Sequence, residues 1–260
     1  MLSWIVLVLP FLEEQPLYEQ FDLSRSVLDQ PLEPQATMVP ALLCPSDGAA
    51  GRKFRDSDFT DKKTFAKGNY AAYASPMHSD LQLLYSGALI STGQPLKKVS
   101  DGNTKTLVVS EVRTLDRLDD ERGVWALPWN AASLLSFDMH HTAANGAGYF
   151  GGYALQSSTA YQSQTPNHSG PNRDVLVGCN PEHATQGDLE EMSCLKWEWS
   201  LGLSGYISAA PRSLHNGGVN AAYLDGRVEF LPNEIDPIAM SFLIGIDDGN
   251  YVPPTSRGGN

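Results

Sequence analysis

Apolar and polar positions alternate most sharply near the C-terminus. Val219-Asn220-Ala221-Ala222-Tyr223-Leu224 and Arg227-Val228-Glu229-Phe230 flank Asp225-Gly226. A period of two is the signature of a half-buried strand, whose successive side chains point to opposite faces. Asp-Gly between two such runs predicts a hairpin with a type I′ turn, which needs positive φ at both central residues. On that turn Tyr223 pairs with Val228 and Ala221 with Phe230 on one face. Arg227 and Glu229 then lie on the other, opposite Leu224 and Ala222. Pattern and turn together set the register.

Other segments carry weaker patterns. Trp4, Val8, Phe11 and Leu12 are spaced for one helical face, continued by Leu17 and Phe21, with Pro10 and Pro16 each opening a short helix. Residues 24–66 are irregular, punctuated by Pro31, Pro34, Pro40 and Pro45, with a mixed-charge loop from Arg52 to Lys63. Short aromatic and β-branched runs at Ala66–Ala74 and Tyr85–Ile90 read as strands. Asp101-Gly102-Asn103-Thr104 reads as a turn, and Thr106–Val112 is the clearest buried strand of the first half. In it Leu107, Val109 and Glu111 alternate against Val108 and Ser110, so one charge lies on an apolar face. A buried carboxylate there needs an ion pair or hydrogen bonds; a ligand contact is the alternative. Residues 138–194 read as a long surface insertion containing His140, His141, His168, His183, Pro166 and Pro171. Trp197 and Trp199 share one face of a strand, Asp236-Pro237 caps a last helix through about Phe242, and residues 251–260 form a flexible tail.

These elements predict an α+β fold in a single domain over residues 1–260: a helical segment at 1–23, an antiparallel sheet containing the hairpin at 211–235, and the insertion at 138–194. Of the 260 residues, 42% are hydrophobic, and 23 glycines and 17 prolines favour many loops. A net charge of -12 argues against nucleic acid or an anionic membrane as partner. Cys179 and Cys194 flank a polar loop. In an oxidising compartment they are placed to pair, leaving Cys44 as a small buried apolar residue; in a reducing one all three are thiols.

The stretch from His215 to Asp225-Gly226 resembles the H-x(9)-D-G domain of prepilin-type bacterial proteins. Further segments occur in matching order: residues 4–21, Leu43-Cys44-Pro45-Ser46-Asp47, Gly68-Asn69-Tyr70, Val99 to Leu107 and Gly245 to Tyr251. Together they resemble the domain-of-unknown-function family 1559, large in planctomycete-type bacteria, along nearly the whole chain. The resemblance implies a pilin- or pseudopilin-like globular domain and an acidic residue at the Glu111 position. It also implies a basic leader, a prepilin-peptidase site and a hydrophobic helix ahead of such a domain. Leu2 to Leu9 is too short to span a membrane and has no basic flank, so that helix is missing from this sequence. The family implies export to the periplasm or cell surface, and self-assembly or assembly with other pilin-like subunits through the helix.

Candidate chemistry is thin. No G-x-S-x-G elbow occurs, since Gly202-Leu203-Ser204-Gly205 fails at its last position. His215 and Asp225 are separated by a strand of roughly 20 Å at ~3.3 Å per residue, which argues against a dyad. A structural motif of His215, Gly217, Gly218, Asn220, Asp225 and Gly226 fits better, with His215 bonding backbone around Gly217-Gly218 and Asn220 satisfying an edge or loop. Cys179, His183 and Cys194 make C-x(3)-H-x(10)-C without a fourth ligand, so no metal site is predicted. Calcium is conceivable only at Asp247-Asp248-Gly249-Asn250. Trp125 and Trp129 with Trp197 and Trp199 are candidates for a sugar-stacking platform, against ordinary core packing. The resulting expectation is a non-enzymatic structural or adhesive subunit of a type II secretion or type IV pilus-like assembly. A carbohydrate-binding surface module is the alternative, and a hydrolase the third.

Overall fold

The computed structural model describes residues 1–137, 139–142, 148–150, 153–157, 165–169, 174–179, 190–197 and 207–248, with backbone alone in the strands between 139 and 157. The chain opens with α1 (Trp4–Val8) and α2 (Gln15–Tyr18), separated by a tighter 3-10 turn over Leu9–Leu12. Ser3 caps α1 by accepting the Ile5 N–H. The strands among the described residues are β1 (Lys53–Phe54), β2 (Phe65–Ala66), β3 (Tyr70–Ser75), β4 (Leu107–Glu111), β5 (Leu134–Ser136), β6 (Met139–Thr142), β7 (Gly148–Phe150), β8 (Tyr153–Ser157), β9 (Asp174–Leu176), β10 (Cys194–Lys196), β11 (Gly218–Tyr223) and β12 (Val228–Pro232). The last helix is α3 (Pro237–Ile244), capped by the Asp236 carboxylate on the Ala239 N–H.

The central sheet runs β12-β11-β4-β3-β5. Its neighbours are antiparallel except β3 and β5, which are parallel, so the sheet is mixed. Smaller sheets are β1-β2, β6-β8-β7 and the parallel pair β10-β9. The fold is α+β with a small helical part, and no described helix is long and apolar enough to cross a membrane.

Two apolar clusters hold the described residues together. Val219, Ala221 and Tyr223 of β11 pack with Leu107, Tyr73, Phe137, Leu176 and, from α3, Met240 and Ile244. The second lies under the N-terminal helices, where Ile5, Val6, Leu9, Leu17 and Phe21 meet Val124, Trp125, Phe54 and Phe65. A fully buried side chain of this size contributes about 1.5–3 kcal/mol. The N-terminal face differs from the expected one: Ile5, Val6 and Leu9 are buried, whereas Phe11 is exposed. The helix tightens at Leu9 and ends in left-handed Glu13, so the 3.6-residue period on which Phe11 was placed is broken.

The hairpin register also differs. Asn220 faces Phe230, Ala221 faces Glu229 and Ala222 faces Val228, one residue from the expected pairing. The loop has three residues, Leu224-Asp225-Gly226, because only Gly226 takes positive φ (+87°). A type I′ turn would force Asp225 there too, and the glycine accommodates the left-handed position instead. Val228 and Phe230 therefore point outward and are exposed, and Arg227 stacks on the Tyr223 ring at 3.8 Å. A bulge opposite Ala222 and Tyr223 pairs Tyr223 with Leu107, turning Leu107 into the core rather than onto the face of Val109 and Glu111. Residues 85–90 are not a strand; Gly87 and Leu89 donate their N–H groups to the carbonyls of Ala74 and Tyr73.

Candidate functional site

β4 ends at Glu111, and a cluster of polar side chains gathers there. The Glu111 side chain is 5% exposed, and four hydrogen bonds reach it from residues about a hundred positions away. Oε2 accepts the Asn220 N–H at 2.7 Å, Asn220 Nδ2 lies 3.3 Å from both oxygens, and His215 Nε2 sits 3.0 Å from Oε1. A carboxylate out of water needs such partners, and these also tie β11 and the loop before it to β4. On its other side β4 pairs Glu111 with Tyr70. Burial first, then the Glu111 carboxylate and Cys44, push the Tyr70 hydroxyl above its ordinary pKa.

Cys44 completes the cluster. Its thiol is 3.8 Å from His215 Nε2, and the donor atoms of Cys44, Glu111 and His215 all lie within 4.8 Å of one another. Asn69 fixes Cys44 from behind, Oδ1 accepting the Cys44 N–H at 2.8 Å, while Nδ2 donates to Asp47 Oδ2 and the Val112 carbonyl. Asp47 Oδ2 further accepts the Thr114 N–H and hydroxyl, with Arg52 and Arg113 at 3.7 and 3.8 Å from the carboxylate. A side chain at Gly68 would press on Leu42 at 3.0 Å. The segments Leu43 to Asp47, Gly68 to Tyr70, Ser110 to Thr114 and Ser213 to Asn220 thus form one junction.

His215 does not bond the backbone at Gly217-Gly218, as the sequence reading had it. Ser213 fills that role: its hydroxyl donates to the Gly218 carbonyl at 2.7 Å and accepts the His215 N–H at 3.0 Å, freeing the imidazole to turn to Glu111. Gly217 has φ +85°, and a Cβ at Gly218 would meet the Leu231 carbonyl at 2.0 Å, so one glycine serves the turn and the other the close approach. Asn220 meets Glu111 rather than a sheet edge. Asp225 stays in the hairpin loop, where Oδ1 accepts the Arg227 N–H at 3.0 Å. Gly226 closes that loop.

Cys179 and Cys194 form a disulfide, so neither is available as a thiolate ligand. The histidine between them, His183, lies outside the described residues, as do Gly202 to Gly205 and the Gly249-Asn250 half of the proposed calcium loop. Trp125 is 1% exposed and meets Phe21 edge-on, so it offers no face to a sugar. Trp129 is half-buried between Phe54 and Phe59 and lines a cavity of about 240 Å³ with Pro128, Leu134 and Ile207. Trp197 is half-buried after β10, and Trp199 is outside the described residues. The four do not form one described platform.

A second polar centre carries no motif in the sequence. Lys67 is buried, donating to the carbonyls of Leu115 and Arg117 and lying 3.9 Å from Asp120. Arg122 lies 3.4 Å from Asp120 and donates to the Met192 carbonyl. Glu121 accepts the N–H groups of Val177 and Gly178, beside the disulfide. Arg212 grips Asp174 with two bonds of 3.0 Å. The only sequence signal was the density of charge in Asp119-Asp120-Glu121-Arg122, which resembles a solvated loop.

A family model described as a protein of unknown function (DUF1559) matches residues 1–238. The chain belongs to this family, the one its ordered segments resemble. No curated protein and no solved structure matches the chain.

Proposed function

We propose that this chain is the globular domain of an exported, non-enzymatic structural or adhesive subunit, of the pilin-like kind that assembles with copies of itself or with related subunits. The observation that carries the reading is how the junction at Glu111 is used. The motif-bearing segments are joined into a lock between strands and loops, and the histidine faces carboxylate and thiol with the same ring nitrogen. A general-base relay needs two nitrogens, one toward the nucleophile and one toward the acid. The Cys179–Cys194 bridge suits an oxidising compartment. Trp125, spent in the core, weakens the carbohydrate reading.

The test is fractionation of the native cells with an antibody to this chain, combined with thiol labelling and crosslinking. The reading expects the protein outside the cytoplasm, with two cysteines unavailable to alkylation and crosslinked species larger than one chain. A cytoplasmic protein with three reactive thiols after denaturation would overturn it.

A further inference from the structure

We propose that Cys44, Glu111 and His215 bind one divalent transition-metal ion of the zinc class. Three donors of different chemical kinds, from segments far apart in the chain, point at one place. Sγ to Nε2 is 3.8 Å and Nε2 to Oε1 is 3.0 Å. Zinc bonds of about 2.3 Å to sulfur and about 2.0 Å to nitrogen and oxygen, arranged tetrahedrally, put neighbouring donors about 3.3–3.6 Å apart. Shifts of a few tenths of an ångström bring these two pairs to ligand spacing, and the third pair, Sγ and the carboxylate, lies within 4.8 Å.

The chemistry of the donors narrows the ion. A thiolate and an imidazole suit zinc and its neighbours and disfavour magnesium and calcium, which take oxygen. Binding leaves the imidazole proton on Nδ1, reached by exchange through solvent where Nε2 carried it, and releases the thiol proton to solvent. The imidazole then binds neutral through Nε2. The thiolate and carboxylate together neutralise a divalent charge, which matters where Glu111 is 5% and Cys44 is 7% exposed.

The ligands are also held from outside. Asn220 fixes the carboxylate, Asn69 the Cys44 backbone and Ser213 the His215 backbone. Such outer partners are what orient a metal's ligands. The His215 side chain is 32% exposed, so the fourth position opens toward solvent for a water or an external ligand. An ion here would staple β4 to the loop before β11 and to the segment after Leu43. That holds whether or not the domain assembles with others, so its failure leaves the structural-subunit reading standing.

The test uses the full chain with its disulfide intact, stripped of metal and titrated with Zn2+ and with Co2+. One equivalent should bind, and the cobalt form should show thiolate-to-cobalt charge-transfer absorption with the visible bands of a tetrahedral site. Cys44→Ser should abolish the charge-transfer band, and His215→Ala should weaken Zn2+ binding about ten-fold or more. Absence of stoichiometric uptake, or cobalt uptake with no thiolate band, overturns the proposal. So does uptake unchanged in folded Cys44→Ser and His215→Ala. Should either variant fail to fold, the cobalt spectrum of the unsubstituted protein decides alone.

Discussion

Two buried polar centres among the described residues solve the same problem in different ways. Around Glu111 the partners are a histidine, an asparagine and a thiol, and one wall is open at His215. Around Asp120 and Asp174 every cation has an anion or carbonyls beside it, and the side chains of Lys67, Asp120, Arg122, Asp174 and Arg212 are at most 3% exposed. A set of opposite charges paired with one another and shut off from solvent holds a structure together, even though Arg122 Nε and Nη2 and Asp120 Oδ2 make no hydrogen bond there. A set with lone pairs directed at one point and a route to solvent can also take a ligand. The difference between scaffold and site lies in that convergence of donors on one point and in its access to solvent.

The closed centre should show the larger losses. Asp174→Ala leaves the Arg212 guanidinium buried without its carboxylate, and should cost about 3–5 kcal/mol in chemical denaturation. A loss under about 1 kcal/mol would mean that water reaches Arg212 and the two centres are less distinct. Reducing the disulfide, or Cys179→Ser with Cys194→Ser, releases a loop with a sequence separation of 15. The expected cost is about 3 kcal/mol, read from the shift in denaturation midpoint.

Next comes a pH effect confined to the closed centre. Burial pushes Glu121 from 4.5 up to about 8, against the opposing pull of the Gly178 and Val177 N–H groups. Between those values the folded chain holds a proton the unfolded chain has lost, so stability falls as pH rises from about 4.5 to about 8. Glu121→Gln should flatten that stretch of a melting-temperature profile. Lys67, lowered by burial from 10.5 to about 8, acts above it with the opposite slope. A profile unchanged by the Glu121 substitution would place that carboxyl in contact with water. The smallest effect belongs to the hairpin loop: Asp225→Asn keeps an acceptor for the Arg227 N–H on an exposed turn, and should change stability by less than about 0.5 kcal/mol.

How far each centre could be read from the sequence follows from the same contrast. Glu111, His215 and Asn220 stand in segments marked by alternation, by glycine or by a lone charge on an apolar run, whereas Asn69 stood out only in a segment resembling the family, as did Cys44, read otherwise as a buried apolar residue. Their meeting was not legible, because it depends on pairing strands more than a hundred residues apart, and local pattern carries no such information. The hairpin itself was legible but its register was not. The choice between a two-residue and a three-residue loop turned on whether Asp225 would accept positive φ. The Asp120–Arg122 run was silent because charged residues in a loop look the same whether solvated or paired in the interior. Only the position of Lys67, Val177 and Gly178 in space distinguishes the two.

His215 works with Glu111 and not with Asp225, the residue it accompanies in sequence. A double-mutant cycle on the metal-free protein tests it directly, with His215→Ala combined in turn with Glu111→Gln and with Asp225→Asn, and stability measured by chemical denaturation. A coupling of about 0.5–3 kcal/mol is expected for the first pair and additivity within about 0.3–0.5 kcal/mol for the second. Additive effects for His215 and Glu111, or coupling between His215 and Asp225, would contradict it.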